Sequence, residues 1–379
     1  MKITITASLL LSACAVLAQT IPTSEVIAEA DLLIDGYQFE KALAIMDRAQ
    51  DSLDVSLLQR KGYCYSRLGN YAEAITAYEA VRMTDLLDRE ALYRLGQLYS
   101  VNDQYDQSRV CYEKLIRLDS ANSFYYKEYA AVALKAGDVV TAMGKYLQTV
   151  RLNPRDVEAY AKFADLLIDA EQVHFADSML TAVLSAVENN QLRLLLARAN
   201  LAEENHEAVV SNVERVLATG DTTVTSARLL GISYFHLERY GKVIPCMEFL
   251  LSKGLKADWI YYFLGASYQQ VNEPLKAIEF LSLAIEEGIS DNIGTYYTQL
   301  GMAYEDAKDF RNAIRNYKAA YETSKADILL YHLARNYDVY YKDKTQAQVY
   351  YKRYLESDDT IKLAKDYSRH RLNALTDGR

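Results

Sequence analysis

Apolar residues recur along this chain three and four positions apart, the spacing that places them on one face of an α-helix. The amphipathic stretches come in pairs, and the pairs repeat. Stepping by 34 residues from Gly62 meets small residues at Gly96, Ala130 and Ala164. Three positions on stand Tyr65, Tyr99, Ala133 and Leu167; nine on, Tyr71, Tyr105, Val139 and Val173. Twelve on come Ala74, Ser108, Ala142 and Ala176; sixteen on, Tyr78, Tyr112, Tyr146 and Leu180. Columns that stay in phase in this way predict an array of helix pairs stabilised by stacking on their neighbours.

After small slips of phase the columns resume at Gly231, Gly265, Gly301 and Ala334. Tyr234, Tyr268, Tyr304 and Tyr337 follow three residues later. Ala277 with Leu281, and Ala313 with Tyr317, hold the later columns. A weaker unit lies between the halves, near 189–223, and another opens the array with Ala30, Leu33, Ala42 and Met46. The weak unit is also where two blocks could hinge, as an alternative to one continuous array. Gly69-Asn70, Asn102-Asp103 and Gly137-Asp138 mark turns between paired helices. Pro274 suits the first turn of a helix, whereas Pro245 lies a turn inside one and should shorten or kink it.

The runs Leu92-x-x-Leu95-Gly96-x-x-Tyr99, Tyr261-x-x-Leu264-Gly265-x-x-Tyr268 and Tyr297-x-x-Leu300-Gly301-x-x-Tyr304 carry a resemblance to the tetratricopeptide repeat family. Pro154 stands where that family often ends a repeat. The resemblance implies an all-α fold: an α-solenoid, wound as a right-handed superhelix, of about nine stacked helix-turn-helix repeats over 24–358. The amphipathic stretch from Thr360 to Leu375 then reads as a capping helix, with the tail, over 359–379. The resemblance also implies a non-enzymatic, protein-binding role, in the manner of exported bacterial members, and is nearly silent on the ligand.

Composition adjusts this picture in a few places. The chain is 50% hydrophobic, with only 4 prolines and 15 glycines, which favours long helices and excludes a mainly disordered chain. Tyrosine is unusually frequent, at 32 copies; its ring fills a core while its hydroxyl keeps a polar partner. A net charge of -9 without a strongly basic face argues against nucleic acid.

The N-terminus reads as a targeting segment over 1–18. Lys2 is followed by an uncharged run from Ile3 to Ala18, with a cleavage site before Gln19. That places the protein in the periplasm or outside the cell. Leu11-Ser12-Ala13-Cys14 offers a second reading, a lipobox in which Cys14 is acylated and an outer-membrane lipoprotein results. A lipid there would be the only link to a membrane.

No constellation of catalytic residues is apparent. The five histidines fall in different units, and Cys64, Cys111 and Cys246 form no metal-binding spacing, so neither a metal nor a cofactor is expected. A small-molecule substrate is not expected either. The three cysteines read as small buried hydrophobes.

In the resembled family, ligand-contacting positions lie just around the small residue of each first helix. Here they are Gln59, Arg60 and Tyr63; Tyr93, Arg94 and Gln97; Lys127 and Glu128; and Lys162 and Asp165. Arg193 and Arg228 continue the series, followed by Tyr262 and Phe263 with Trp259 nearby, then Thr298 and Gln299, then Tyr331, His332 and Arg335. A basic residue beside tyrosines in successive units suits an extended peptide bearing carboxylates. The competing reading is that these cations only keep the face wet, balanced by Glu90, Glu128 and Glu158. Some members grip a C-terminal carboxylate with a Lys/Asn/Arg set, but Gln59 and Tyr63 stand where its asparagines would be. The Trp259–Phe263 cluster is either a hot spot for a partner or packing between repeats.

Overall fold

A computed structural model describes residues 21–288 and 291–377. The targeting segment and Cys14 lie outside them. The described residues hold twenty-one helices. In pairs they are α1 (Thr23–Asp35) and α2 (Phe39–Met46), α3 (Val55–Arg67) and α4 (Tyr71–Thr84), α5 (Arg89–Val101) and α6 (Tyr105–Leu118), α7 (Ser123–Lys135) and α8 (Val139–Leu152), and α9 (Val157–Asp169) and α10 (Val173–Leu184). The series continues with α11 (Asn190–Ala202) and α12 (His206–Ala218), α13 (Val224–His236) and α14 (Tyr240–Ser252), α15 (Asp258–Gln270) and α16 (Pro274–Glu287), α17 (Ile293–Asp306) and α18 (Phe310–Ser324), and α19 (Ile328–Tyr340) and α20 (Thr345–Glu356). A last helix, α21 (Lys362–Asp377), packs on α20. That makes ten pairs, set against about nine read from the sequence.

The chain divides into two compact units, one up to Leu166 and one from Leu167, so the division falls within α9. Each is an α-solenoid in which a helix packs on the one before and the one after. The weak unit near 189–223 is the complete pair α11 and α12, inside the second unit.

Three columns of residues build each pair. Eight positions before the small residue, a short polar side chain caps the first helix. Asp54, Asp88, Asp156 and Asn189 each accept from the backbone N–H three residues on, and Asn122 from the one two residues on. Thr223 does so with Ser226 in a reciprocal capping box. Seven positions after the small residue the chain turns through a left-handed residue: Tyr37, Gly69, Asp103, Gly137, Glu171, Glu204, Glu238, Asn272 and Lys308. The next N–H then reaches back five residues, as in Asn70 to the Tyr65 carbonyl at 2.9 Å and Glu273 to that of Tyr268 at 2.8 Å. This closure satisfies the last carbonyls of the first helix.

The small residue itself is fixed by close approach. A Cβ added at Gly62 would lie 2.6 Å from the Tyr78 ring, and one at Gly301 2.8 Å from Tyr317. Between pairs, tyrosines hydrogen-bond backwards. Tyr99, Tyr234 and Tyr268 donate to Glu79, Glu214 and Glu248 of the preceding second helix at 2.7–2.8 Å. Ring burial with a satisfied hydroxyl accounts for much of the tyrosine excess.

Pro274 opens α16 as expected. Pro245 does not shorten its helix: α14 runs 13 residues, like α13.

Candidate functional site

The first helices carry most of the candidate contact residues, and the structure shows how each is held. In the first unit, Arg60 on α3 reaches Asp31 on α1 with two parallel bonds, at 2.6 and 2.8 Å. That contact holds the Asp31 carboxyl below the usual range. Arg94 pairs with Glu90 at 2.7 Å, while its guanidinium lies 5.7 Å over the Tyr93 ring. Gln97 donates to the Tyr93 hydroxyl at 2.6 Å. Lys127 on α7 bridges to Asp156 and Glu158 in the next pair, at 3.1 and 3.2 Å. Lys162 is exposed on α9, and Gln59 is half-buried on α3.

The basic series is therefore neutralised wherever a partner is in reach. A carboxylate ligand would have to displace Asp31, Glu90, Asp156 or Glu158, at a cost comparable with the gain. The aromatic half of the reading keeps more force. Tyr93 packs against Phe124 with centroids 5.7 Å apart, and Phe124 is 40% exposed. Tyr63 packs edge-on to Phe39 at 6.1 Å. Phe124 was missed because it precedes its small residue by six positions, outside the family's contact register.

In the second unit, Arg193 is buried, donating to Asn212 and Glu188. It belongs to a polar seam that continues through Asn212 and Asn200 to Asp177. This replaces apolar packing in α11 and α12, which is why their hydrophobic register looks weak. Trp259 sits edge-on to Phe263 at 6.0 Å, and Phe263 stacks on Phe235 at 4.6 Å. Tyr262 stacks on Tyr296 at 5.1 Å. All three rings are partly buried against the core around Leu230 and Leu264, so the cluster is largely packing between repeats. Arg228 covers the Trp259 ring at 5.6 Å.

Tyr331 packs edge-on to His332 at 5.6 Å, while His332 and Arg335 converge on a residue that no pattern marks, Glu305 at the end of α17. Its carboxylate accepts from Tyr317 at 2.9 Å and Asn336 at 3.0 Å, and pairs with Arg335 at 3.2 Å. Burial pushes this carboxyl up. His332 beside it at 3.9 Å, the hydrogen bonds from Asn336 and Tyr317 and the charge of Arg335 outweigh it, leaving it at about 2. A carboxylate fixed in that state is a structural anchor and a poor proton carrier.

The remaining titratable groups do not converge. His206 and His236 stack at 4.4 Å, and His174 stands exposed. Among the described residues no three His, Cys, Asp or Glu side chains are placed to hold a metal ion. Burial pushes the Cys64, Cys111 and Cys246 thiols up to about 11. Among the described residues no helix is long and apolar enough to cross a membrane.

BBSome complex member BBS4 of Bos taurus is 23% identical over 302 residues, covering 79% of this chain and 56% of that protein. ER membrane protein complex subunit 2 of Xenopus tropicalis is 29% identical over 127 residues, covering 32% of this chain and 43% of that protein. The chain thus spans about half the length of the curated relatives it matches. A tetratricopeptide repeat protein of Parabacteroides merdae has 15% identity and a TM-score of 0.45, over 66% of this chain and 98% of that one. The sequence model of the tetratricopeptide repeat family matches residues 55–81, 90–122 and 294–327. Those stretches fall on α3 with α4, α5 with α6, and α17 with α18, and there the chain carries tetratricopeptide repeats.

Proposed function

We propose that this protein is a non-enzymatic scaffold that docks partner proteins or peptides on the faces of its first helices. The observation that carries the reading is the Tyr93–Phe124 pair, a partly exposed aromatic step held by Gln97 and Arg94. Aromatic anchors fixed by their neighbours lose little entropy on binding. The names of the relatives support it: one is a member of the BBSome complex and one a subunit of the ER membrane protein complex.

The test is capture of partners from native extract by the tagged full chain. The double substitution Tyr93→Ala/Phe124→Ala is expected to lose a defined set of partners with little change in melting temperature. Retention of every partner would place docking elsewhere, and turnover of a substrate by the purified protein would replace the reading.

We further propose that the chain is exported, to the periplasm or the medium, on the strength of the uncharged run from Ile3 to Ala18. N-terminal sequencing of the mature protein tests this. A start at Gln19 fits soluble export, an acylated Cys14 fits the lipoprotein alternative, and an intact Met1 contradicts both.

A further inference from the structure

The second unit carries a cleft, about 580 Å³ in volume, between the outer face of α18 and the turn joining α19 to α20. Arg311, Arg315 and Lys318 line one wall, Tyr337 and Tyr341 the other, with Glu322 the one acid at the rim. At Lys318 its charge is the reverse of what the register provides in four earlier repeats. Lys318 stands seventeen positions after Gly301. The same position holds Glu79, Glu113, Glu214 and Glu248 in four earlier repeats. Three of those glutamates accept the hydroxyl of the tyrosine three residues after the next small residue. Here that tyrosine is Tyr337, and the ammonium of Lys318 lies 5.4 Å over its ring.

The contrast extends along the face. In α12, Glu207 and Glu214 are matched by Arg239 and Lys242 of the next pair. At the position of Glu207, α18 carries Arg311, and no acid answers it from α20. Neither Arg311 nor Arg315 is in an ion pair among the described residues. The turn is also different. Tyr341 occupies the place of the left-handed residue but is extended, with φ -96°. Lys344 folds back onto the Asp338 and Tyr341 carbonyls. Val339, Tyr340 and Tyr341 are exposed here, and Tyr341 lines the cleft with the cations.

We propose that this cleft is a second docking site, which takes an acidic peptide segment of a partner, its carboxylates on Arg311, Arg315 and Lys318 and an apolar side chain on Tyr337 and Tyr341. Charge complementarity selects the occupant: an unneutralised cationic wall, facing stacked rings, in a chain of net charge -9. Arginine forks suit carboxylates, and the rings suit a neighbouring apolar group. The site is separate from the first-helix faces, so it stands if the Tyr93–Phe124 proposal fails.

The probe is a fluorescein-labelled peptide of glutamate and phenylalanine, titrated with the full chain and followed by anisotropy. Saturable binding is expected, weakening at high salt. Arg311→Glu/Arg315→Glu is expected to lose at least about tenfold in affinity, as is Lys318→Glu. Lys318→Glu restores the residue found in the earlier repeats, so its melting temperature should hold or rise while binding falls. The control Arg117→Glu/Arg151→Glu changes net charge equally at exposed positions of the first unit and should bind like the parent chain. The proposal is overturned if the parent chain does not bind, if the control loses as much as the cleft variants, or if an oligonucleotide of equal charge binds the cleft more tightly than the peptide.

Discussion

Seven of the nine left-handed turn residues between paired helices carry a side chain: Tyr37, Asp103, Glu171, Glu204, Glu238, Asn272 and Lys308. An L-residue pays roughly 1 kcal/mol or more to adopt that conformation. Lys308→Gly should therefore stabilise the second unit by about 0.5 kcal/mol, the relief of strain being partly offset by added freedom in the unfolded chain. Urea denaturation checks this, and a lowered midpoint would mean that Lys308 makes a contact that outweighs its strain. Glu305 supplies a second residue-level test. Its carboxyl is held at about 2, below the ordinary value, so the stabilisation is full above about pH 4.5 and is lost as pH falls towards 2. The magnitude is about 3 kcal/mol. Thermal melts of Glu305→Gln and the parent chain should converge as the pH falls; an unchanged gap between them would remove Glu305 from the acid response. The turn column was partly legible in sequence, through Gly69 and Gly137. Asp103 was read with them, from the Asn102-Asp103 pair, and the other six hid because no single residue type fills the position. Glu305 could not be read at all, since its partners come from α18 and α19.

At the scale of the element, the end of the array is closed by charge as well as by apolar contact. Asp338 on α19 is 5% exposed and takes two bonds from Arg371 of α21, at 2.5 and 3.1 Å. Lys365 of the same helix donates to the Tyr354 and Ser357 carbonyls, covering the end of α20. Arg371→Ala leaves a buried carboxylate with Lys344 as its remaining counter-charge, so about 2–3 kcal/mol should be lost locally. Hydrogen exchange should then accelerate across 362–377 and the end of α20 while α13 to α16 stay protected. Uniform acceleration would mean that α21 and the repeats open together. A helix at this end was legible from its amphipathic pattern, but its attachment was not, because Asp338 and Arg371 are 33 residues apart and belong to no repeat column. Pro245 marks the opposite case, a local rule that predicted a shortened helix where α14 keeps its 13 residues.

For the whole molecule, the fold was readable because its columns are redundant: a small residue, its partner sixteen positions on and a following tyrosine recur from pair to pair. The same redundancy hides function, since it uses up most of the residues that draw attention. Arg60, Arg94 and Lys127 lie in the family's contact positions, yet all three face acids of this chain. What remains for recognition is the aromatic step at Tyr93 and Phe124, which rests on contacts between successive first helices. The most direct test of the scaffold account places a photo-crosslinking residue at Tyr93 in the full chain, and another at Thr76 on the exposed face of α4, in the native host. The account predicts discrete protein adducts at position 93 and none in common at position 76. The same adducts at both positions, or none at position 93 while partners still co-purify, would contradict it.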